Sequence, residues 1–237
     1  MNGRPFDSSA TLGHCSAKLA APPETWSTAL AAGTPTQVAP TLGYEAIQDL
    51  TRTIPFRPRL TRFIFLRHGE TEGNRKGIYQ AADVPLNAAG EAQAAEAADR
   101  LALASIAHVA ASPMMRAWRT AAIVTDGRGL TPEPDGGLAE RYFIGLVGTT
   151  VGRMDWRDDP PACETLGAFV HRAGNCLSRW LSQDDNPDGD LMLVAHGGQL
   201  LVLAALTGVD LNVELRRNAT PILFTRSTAG WEAVAVS

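Results

Sequence analysis

The stretch Phe63-Ile-Phe-Leu-Arg-His-Gly-Glu-Thr71 decides how this chain folds. Four apolar residues, two of them aromatic and one β-branched, lead directly into Arg67, His68 and Gly69, which predicts a buried strand that ends in a polar loop. In open α/β sheets, ligands bind beyond the carboxyl ends of the strands. The pattern therefore puts an arginine and a histidine where such a fold carries out chemistry, beside a glycine that we expect to let a substrate approach the backbone.

A second apolar run, residues 191–195, also ends in a histidine and a glycine, His196 and Gly197. Two strands that deliver their histidines to the same sheet edge predict one pocket with two imidazole rings, although the rings are 128 positions apart in the chain. The alternative is that His68 only caps a strand end. Arg67 would then be an unpaired charge at a buried position, which is energetically costly.

Helical patterns alternate with these strands. This alternation predicts a three-layer α/β fold, in which a mostly parallel sheet has helices on both faces and two closing strands form an antiparallel edge. Residues 70–85 have no periodicity and are expected to form a polar loop. The expected strands are 62–66, 107–110, 191–195, 222–226 and 231–236, and the expected helices are 87–103, 114–125, 164–183 and 199–207.

Composition limits the classes of function. The chain has 237 residues and a formal net charge of −4, so nothing global favours a nucleic acid or an anionic membrane as partner. No apolar run approaches the roughly 18 residues of a membrane helix, and no secretory signal is recognisable. The three cysteines have no metal-ligand spacing and an odd count, which indicates reduced thiols in a cytoplasmic protein.

Residues 1–60 differ from the rest of the chain, because they hold seven of its fifteen prolines and are rich in Ala, Thr and Ser. We interpret them as a flexible N-terminal extension, followed by one folded domain over residues 61–237. A partner-binding or oligomerising arm is the alternative. Within this extension, residues 43–50 predict a short helix with Tyr44, Ile47 and Leu50 on one face.

Several motifs together resemble one family. The stretch Leu66-Arg-His-Gly-Glu-Thr-Glu-Gly-Asn74 resembles the signature of the histidine phosphatase superfamily, whose fold is phosphoglycerate mutase-like. The resemblance runs from about residue 62 to the C-terminus and leaves the first 60 residues outside it. The family's other motifs have counterparts in the same order, at residues 85–94, 111–121, 138–140 and 193–198.

The resemblance implies a histidine acid-type phosphatase, a metal-independent phosphomonoester hydrolase that needs no cofactor and acts on a small phosphorylated metabolite. His68 would be the nucleophile that forms a phosphohistidine, and nearby cations would disfavour its protonated form. Glu140 would protonate the leaving alkoxide and then activate water. Two arginines and two histidines already supply positive charge, so no metal site is expected. The expected phosphoryl ligands are Arg67, Arg116 and His196, and the expected substrate contacts are Arg67, Asn74, Gln80, Arg116 and Gly197.

Two departures from the family pattern and two rival functions remain. Gly73 stands where the family often has an aromatic residue, and the sequence after Glu140 lacks the family's frequent Trp-Glu-Gly. A phosphoglycerate-type mutase is the rival enzyme, but the resembling mutases have a longer insertion than the 56 positions between Glu140 and His196 here. A non-catalytic phospho-ligand-binding scaffold is the rival of another class. The sequence leaves the substrate and the oligomeric state open.

Overall fold

The computed structural model describes residues 41–237, and six strands in this range form one sheet. Their order across the sheet is β3-β2-β4-β1-β5-β6; neighbours are parallel from β3 to β1, and antiparallel from β1 to β6. The predicted mostly parallel sheet with an antiparallel edge is therefore confirmed. The strands are β1 (Arg62–Arg67), β2 (Ile106–Ala111), β3 (Glu133–Pro134), β4 (Asp190–Ala195), β5 (Pro221–Ser227) and β6 (Gly230–Ala235).

Helices follow most of the strands, and three of them begin just after a residue whose side chain caps the helix. The Asn87 side chain accepts a hydrogen bond from the Gly90 N–H at 2.8 Å. The predicted loop over 70–85 is wrong in one respect, because Thr71 and Asn74 form a capping box that starts a short helix there. The helices are α1 (Tyr44–Thr51), α2 (Glu72–Lys76), α3 (Ala88–Arg100), α4 (Met115–Thr125), α5 (Leu166–Leu181) and α6 (Gly197–Thr207).

The sheet has a hydrophobic core on each face, as a three-layer fold requires. Successive side chains of a strand point to opposite faces. Phe63 and Phe65 of β1 pack in a cluster with residues of α1, α5 and α6. Ile64 and Leu66 pack in a second cluster with residues of α3 and α4. Because β1 is apolar on both faces, it lies in the middle of the sheet and brings Arg67 and His68 to a fixed place at its carboxyl end.

Residues 41–60 belong to the packed body, which corrects the domain boundary that we expected near residue 60. The predicted helix forms as α1, and its Ile47 side chain is fully buried between α5 and α6. Ile54 packs so closely on α5 that a Cβ at Gly174 would lie 2.3 Å from its Cδ1 atom. The folded domain therefore starts before residue 61, and residues 1–40 lie outside the described part of the chain.

Candidate active site

Two histidines meet at the carboxyl ends of neighbouring parallel strands. Arg67, the last residue of β1, is in register with Ala195, the last residue of β4. His68 and His196 follow directly, and their rings pack edge to face with centroids 5.0 Å apart. The structure therefore brings the two histidines together at the sheet edge that the sequence indicated.

His68 is held in one tautomer. Its Nδ1 atom lies 2.7 Å from the Gly69 carbonyl oxygen, which can only accept, so Nδ1 carries the proton and Nε2 has a free lone pair. Burial lowers the pKa of His68 well below its usual range, and the charges of Arg116 and Arg67 lower it further. The ring is consequently neutral, which is the state that a nucleophilic imidazole requires.

His196 has the complementary arrangement. Its Nε2 atom lies 2.8 Å from the Ser112 hydroxyl, and the same hydroxyl oxygen accepts a hydrogen bond from the Met114 N–H at 3.3 Å. Ser112 has no other acceptor within residues 41–237, so its O–H donates to Nε2 and leaves the proton of His196 on Nδ1. Burial, followed by the neighbouring His68, lowers the pKa of His196 well below its usual range.

Two arginines flank the histidines, and each is held by a backbone carbonyl. Arg67 donates from Nη1 to the Arg216 carbonyl at 2.6 Å, and Arg116 donates from Nη1 to the Ala81 carbonyl at 2.9 Å. Burial lowers the pKa of both guanidinium groups, whereas the nearby Glu140 carboxylate raises both. Glu140 therefore lies close enough to both arginines to interact with their charges.

Arg119, three positions after Arg116, does not take part in this group. Its guanidinium forms two hydrogen bonds with the Glu91 carboxylate on the surface, at 2.8 and 2.7 Å. One turn of α4 thus presents a buried arginine to the site and an exposed arginine to solvent.

Three buried N–H donors at the site have no hydrogen-bond partner among the described residues: Arg67 Nε, Arg116 Nε and His196 Nδ1. Buried donors in native structures nearly always have a partner, and an exception calls for an explanation such as a water, a bound ion or a catalytic role. A phosphoryl group offers three oxygens to such donors, and arginine binds these oxygens with particular strength. The donor set fits a phosphoryl group that faces the His68 Nε2 lone pair.

Glu140 lies at the amino end of α6. Its Oε2 atom accepts the Gly198 N–H at 3.0 Å, and its Oε1 atom accepts the Arg141 N–H at 3.0 Å. The first turn of a helix favours a negative charge. A Cβ on Gly198 would lie 2.1 Å from Oε1, so the carboxylate can occupy this place only because residue 198 is glycine. The structure thus puts the expected acid beside the second histidine.

The three expected substrate contacts other than the two arginines have different surroundings. Gly197 begins α6, and a Cβ there would lie 3.7 Å from the Arg67 guanidinium carbon, so it borders the site. The Asn74 Oδ1 atom accepts the Thr71 N–H at 3.2 Å in the capping box. Gln80 accepts the Thr71 hydroxyl, and none of its hydrogen bonds within residues 41–237 reaches the histidines or arginines.

Gln80 also explains the departure from the family pattern at Gly73. A Cβ on Gly73 would lie 2.3 Å from the Gln80 Cγ and Cδ atoms, so the glutamine fills the space that a side chain at position 73 would need. The structure thus gives Gln80 a bracing contact in this loop, and its contact with substrate stays a prediction.

Sequence reasoning missed several residues that support the site. Ser112 orients His196, and Asn218 donates to the His68 carbonyl at 2.8 Å. Gly69 was expected to admit a substrate, but a Cβ there would lie 2.4 Å from the Gly90 carbonyl oxygen, so this glycine instead lets α3 pack closely. The signal for Ser112 was present beside the second-arginine motif, whereas nothing in the sequence connects position 218 to His68.

Two kinds of feature are absent from residues 41–237. No group of three or more His, Cys, Asp or Glu side chains is arranged to hold a metal ion in this range. No helix there is both long enough and apolar enough to cross a membrane.

Comparison with known proteins gives the family. The family model of the histidine phosphatase superfamily (branch 1) matches residues 63–233. Agropine synthesis reductase of Rhizobium rhizogenes is 32% identical over 180 residues, covering 71% of this chain, but the match spans only 40% of that protein's length.

Two further matches span most of the other protein. A probable phosphoglycerate mutase GpmB of Enterobacter sp. (strain 638) is 42% identical over 174 residues, which are 64% of this chain and 77% of the relative. The solved complex of a mycobacterial glucosyl-3-phosphoglycerate phosphatase with VO3 is 25% identical and covers 74% of this chain and 98% of that one, with a TM-score of 0.60. The family match and the site geometry agree, and the chain belongs to branch 1 of the histidine phosphatase superfamily.

Proposed function

We propose that this chain is a metal-independent phosphomonoester hydrolase that acts on a small phosphorylated metabolite through a phosphohistidine. One observation carries the proposal: a neutral imidazole with a free Nε2 lone pair lies among three buried N–H donors that have no partner in the described chain. Phosphoryl transfer depends mainly on positioning and on neutralising charge at the equatorial oxygens. This arrangement supplies both.

The first half of the reaction transfers the phosphoryl group to His68. Its Nε2 lone pair forms the new bond to phosphorus while the ester P–O bond breaks. Arg67, Arg116 and His196 donate to the three phosphoryl oxygens as the charge on them develops. Glu140, starting as the acid, gives its proton to the departing oxygen, so the product leaves as an alcohol. Throughout this step the His68 Nδ1 atom keeps its proton and donates it in the hydrogen bond to the Gly69 carbonyl.

The second half returns the site to its starting state. The Glu140 carboxylate removes a proton from water, and the resulting hydroxide attacks phosphorus from the side that the alcohol has left. The P–N bond breaks, its electron pair returns to His68 Nε2, and inorganic phosphate departs. Glu140 is then protonated for the next cycle, so one water molecule is consumed and no external acid, base or redox partner is needed.

The finer assignment, an acid-type phosphatase, is supported by the lowered pKa of His68. An ordinary histidine is largely protonated below about pH 6.5 and loses its nucleophilic lone pair. Burial and two neighbouring arginines keep His68 neutral further into the acid range. We therefore expect the rate of the first step to persist below that pH, which a profile of kcat/KM against pH will test.

The mutase alternative is favoured by one observation, the similarity to a protein named as a probable phosphoglycerate mutase. A mutase must keep water away from the phosphohistidine and return the phosphoryl group to a substrate hydroxyl. The short segment of 56 positions between Glu140 and His196 leaves little chain to cover the site, which favours the hydrolase. The two are distinguished by whether phosphoryl transfer to water or to an added acceptor alcohol predominates.

The test is hydrolysis of 4-nitrophenyl phosphate by the full chain in the presence of a chelator. His68→Ala is compared with His108→Ala, a control at an exposed histidine that bonds Glu133. We expect turnover in the wild type and in the control, and none in His68→Ala. With a radiolabelled ester, we also expect a radiolabelled phosphoprotein when the wild type is quenched in alkaline denaturant, because the P–N bond of a phosphohistidine is stable in base and labile in acid. Turnover that survives in His68→Ala contradicts the proposal, and its absence from the wild type favours the non-catalytic scaffold.

A further inference from the structure

A single side chain of α5 holds the backbone that carries Glu140. This segment, residues 136–140, begins with one turn of 3₁₀ helix and has no strand partner, so no sheet ladder fixes it. Arg172, on α5, donates hydrogen bonds to four backbone carbonyl groups of this segment. The contacts run from Nη1 to Gly136 O (3.2 Å), Gly137 O (3.2 Å) and Ala139 O (3.0 Å), and from Nη2 to Glu140 O (3.2 Å).

The Arg172 guanidinium is itself fixed by an acid that lies just before α5, Glu164. It forms two hydrogen bonds with the Glu164 carboxylate, from Nε at 2.9 Å and from Nη2 at 2.7 Å. Glu164 also accepts the Tyr142 N–H at 3.1 Å, so the ion pair contacts the chain both before and after Glu140. Such a paired, planar group loses little further freedom when it binds carbonyls.

The remaining freedom of Glu140 is small. Its carboxylate is bound by the Gly198 and Arg141 N–H groups, and Gln199 adds a second clamp on the segment by donating to two of its carbonyls. The backbone contacts of Arg172, together with those of Gln199, therefore hold the carboxylate in its place relative to the His68 ring. A general acid must be within hydrogen-bond reach of the leaving oxygen, and a displacement of about 1 Å can cost about 100-fold in rate.

We propose that Arg172 is a positioning residue for the acid step: it contacts no reacting atom, and it acts by holding residues 136–140 so that Glu140 meets the leaving oxygen. The inference rests on the proposed function. The leaving group distinguishes this positioning role from a merely structural one. A good leaving group departs without a proton, whereas a poor one needs a proton to depart. Loss of Arg172 should therefore affect poor leaving groups selectively.

The experiment compares Arg172→Met with the wild type on two substrates of similar shape, phenyl phosphate and 4-nitrophenyl phosphate. The readout is kcat/KM, which reports the steps through release of the phenol. We expect kcat/KM for phenyl phosphate to fall about 10- to 100-fold, within the range that acid catalysis contributes, and that for the nitrophenyl ester to fall less than about threefold. Arg119→Met is the matched control, because Arg119 bonds the Glu91 carboxylate on the surface rather than the segment that carries Glu140.

Two more variants give the inference its sharpest test. Glu140→Gln should show the same selectivity, and the Arg172→Met/Glu140→Gln double variant should lose nothing beyond Glu140→Gln, because both changes remove one function. If Arg172→Met does not fold, Arg172→Lys takes its place. Lysine keeps the charge but cannot span four carbonyls, so we expect a smaller fall in kcat/KM, again larger for phenyl phosphate than for 4-nitrophenyl phosphate.

The outcomes are distinguishable from those of the proposed function. Equal losses on both esters, or additive losses in the double variant, overturn the positioning role of Arg172 while leaving the hydrolase intact. A wild type without His68-dependent hydrolysis overturns the proposed function itself, and the inference falls with it. A selective loss on phenyl phosphate that Arg119→Met does not share supports both.

Discussion

Gly198→Ala tests the position of Glu140 from the opposite side of the site. The added Cβ would lie 2.1 Å from the Glu140 Oε1 atom, whereas unstrained carbon–oxygen contacts begin at about 3.3 Å. The carboxylate must therefore move by about 1 Å, which disrupts the hydrogen bond that Oε1 accepts from the Arg141 N–H and displaces Oε2 from the Gly198 N–H. A misplacement of that size costs about 100-fold, so we expect kcat/KM for phenyl phosphate to fall to about 1% of the wild-type value.

The same substitution should cost little stability. The Cβ would also lie 2.9 Å from Trp156 Cη2 and 3.0 Å from Phe169 Cζ, and such overpacking costs about 1–3 kcal/mol. The better helix propensity of alanine offsets about 1 kcal/mol of this cost. Urea unfolding will verify that the variant is folded under assay conditions.

The control is Gly167→Ala on α5, where a Cβ would meet no atom within 4 Å. It makes the same chemical change in a helix without touching the acid, so its kcat/KM should equal that of the wild type. The reasoning is refuted if Gly198→Ala folds and hydrolyses phenyl phosphate at the wild-type rate, because Glu140 would then not act from the place that the structure gives it.

Three further substitutions or conditions have defined outcomes. Ser112→Ala leaves the buried Nε2 of His196 without its donor; the imidazole can then take the other tautomer, and we expect kcat/KM to fall about tenfold or more, with about 1–3 kcal/mol lost in urea unfolding. The pKa values of His68 and His196 are lowered on folding, so the unfolded chain takes up protons first as the pH falls. The contribution of the two histidines to the free energy of unfolding is therefore complete above about pH 6.5. Below that pH it is lost, at about 1.4 kcal/mol per pH unit for each histidine. His68→Asn should halve that slope in urea titrations between about pH 6.5 and pH 5. Asp135→Ala removes the acceptor of the buried Trp180 indole N–H, and thermal unfolding should show about 1–3 kcal/mol of destabilisation.

The sequence predicted the central layer of the fold and the meeting of the two histidines well, because the signals for both are local. A run that is apolar on both faces and ends in Arg67 and His68 identifies a central strand and its carboxyl end in nine adjacent residues. The second histidine follows the same pattern, and parallel strands end at one edge. Together these features put both rings in one pocket without any knowledge of the contacts between them.

The supporting residues could not be predicted, because each contacts a partner that is distant in the sequence and close only in the folded chain. Ser112 meets His196 across 84 positions, and Gly198 meets Glu140 across 58. Both residues lie within motifs of the family, at 111–121 and 193–198, but no spacing in the sequence indicates which side chain each of them contacts. The expected boundary near residue 60 was wrong for a related reason. A proline-rich segment with one short helix has a weak periodic signal, although the Ile47 side chain of α1 is buried against α5 and α6.

The two halves of the proposed chemistry are supported by different kinds of structure, and this difference has a consequence for specificity. His68 and Arg67 stand at the end of a strand that is hydrogen-bonded on both sides, so their positions depend on the whole sheet. Glu140 stands on an irregular segment that side chains such as Arg172 hold. The side chains that hold this segment can be substituted one at a time without disturbing the sheet. Substitutions around Glu140 should therefore alter which leaving groups the enzyme accepts, while the phosphoryl-binding geometry at His68 stays the same.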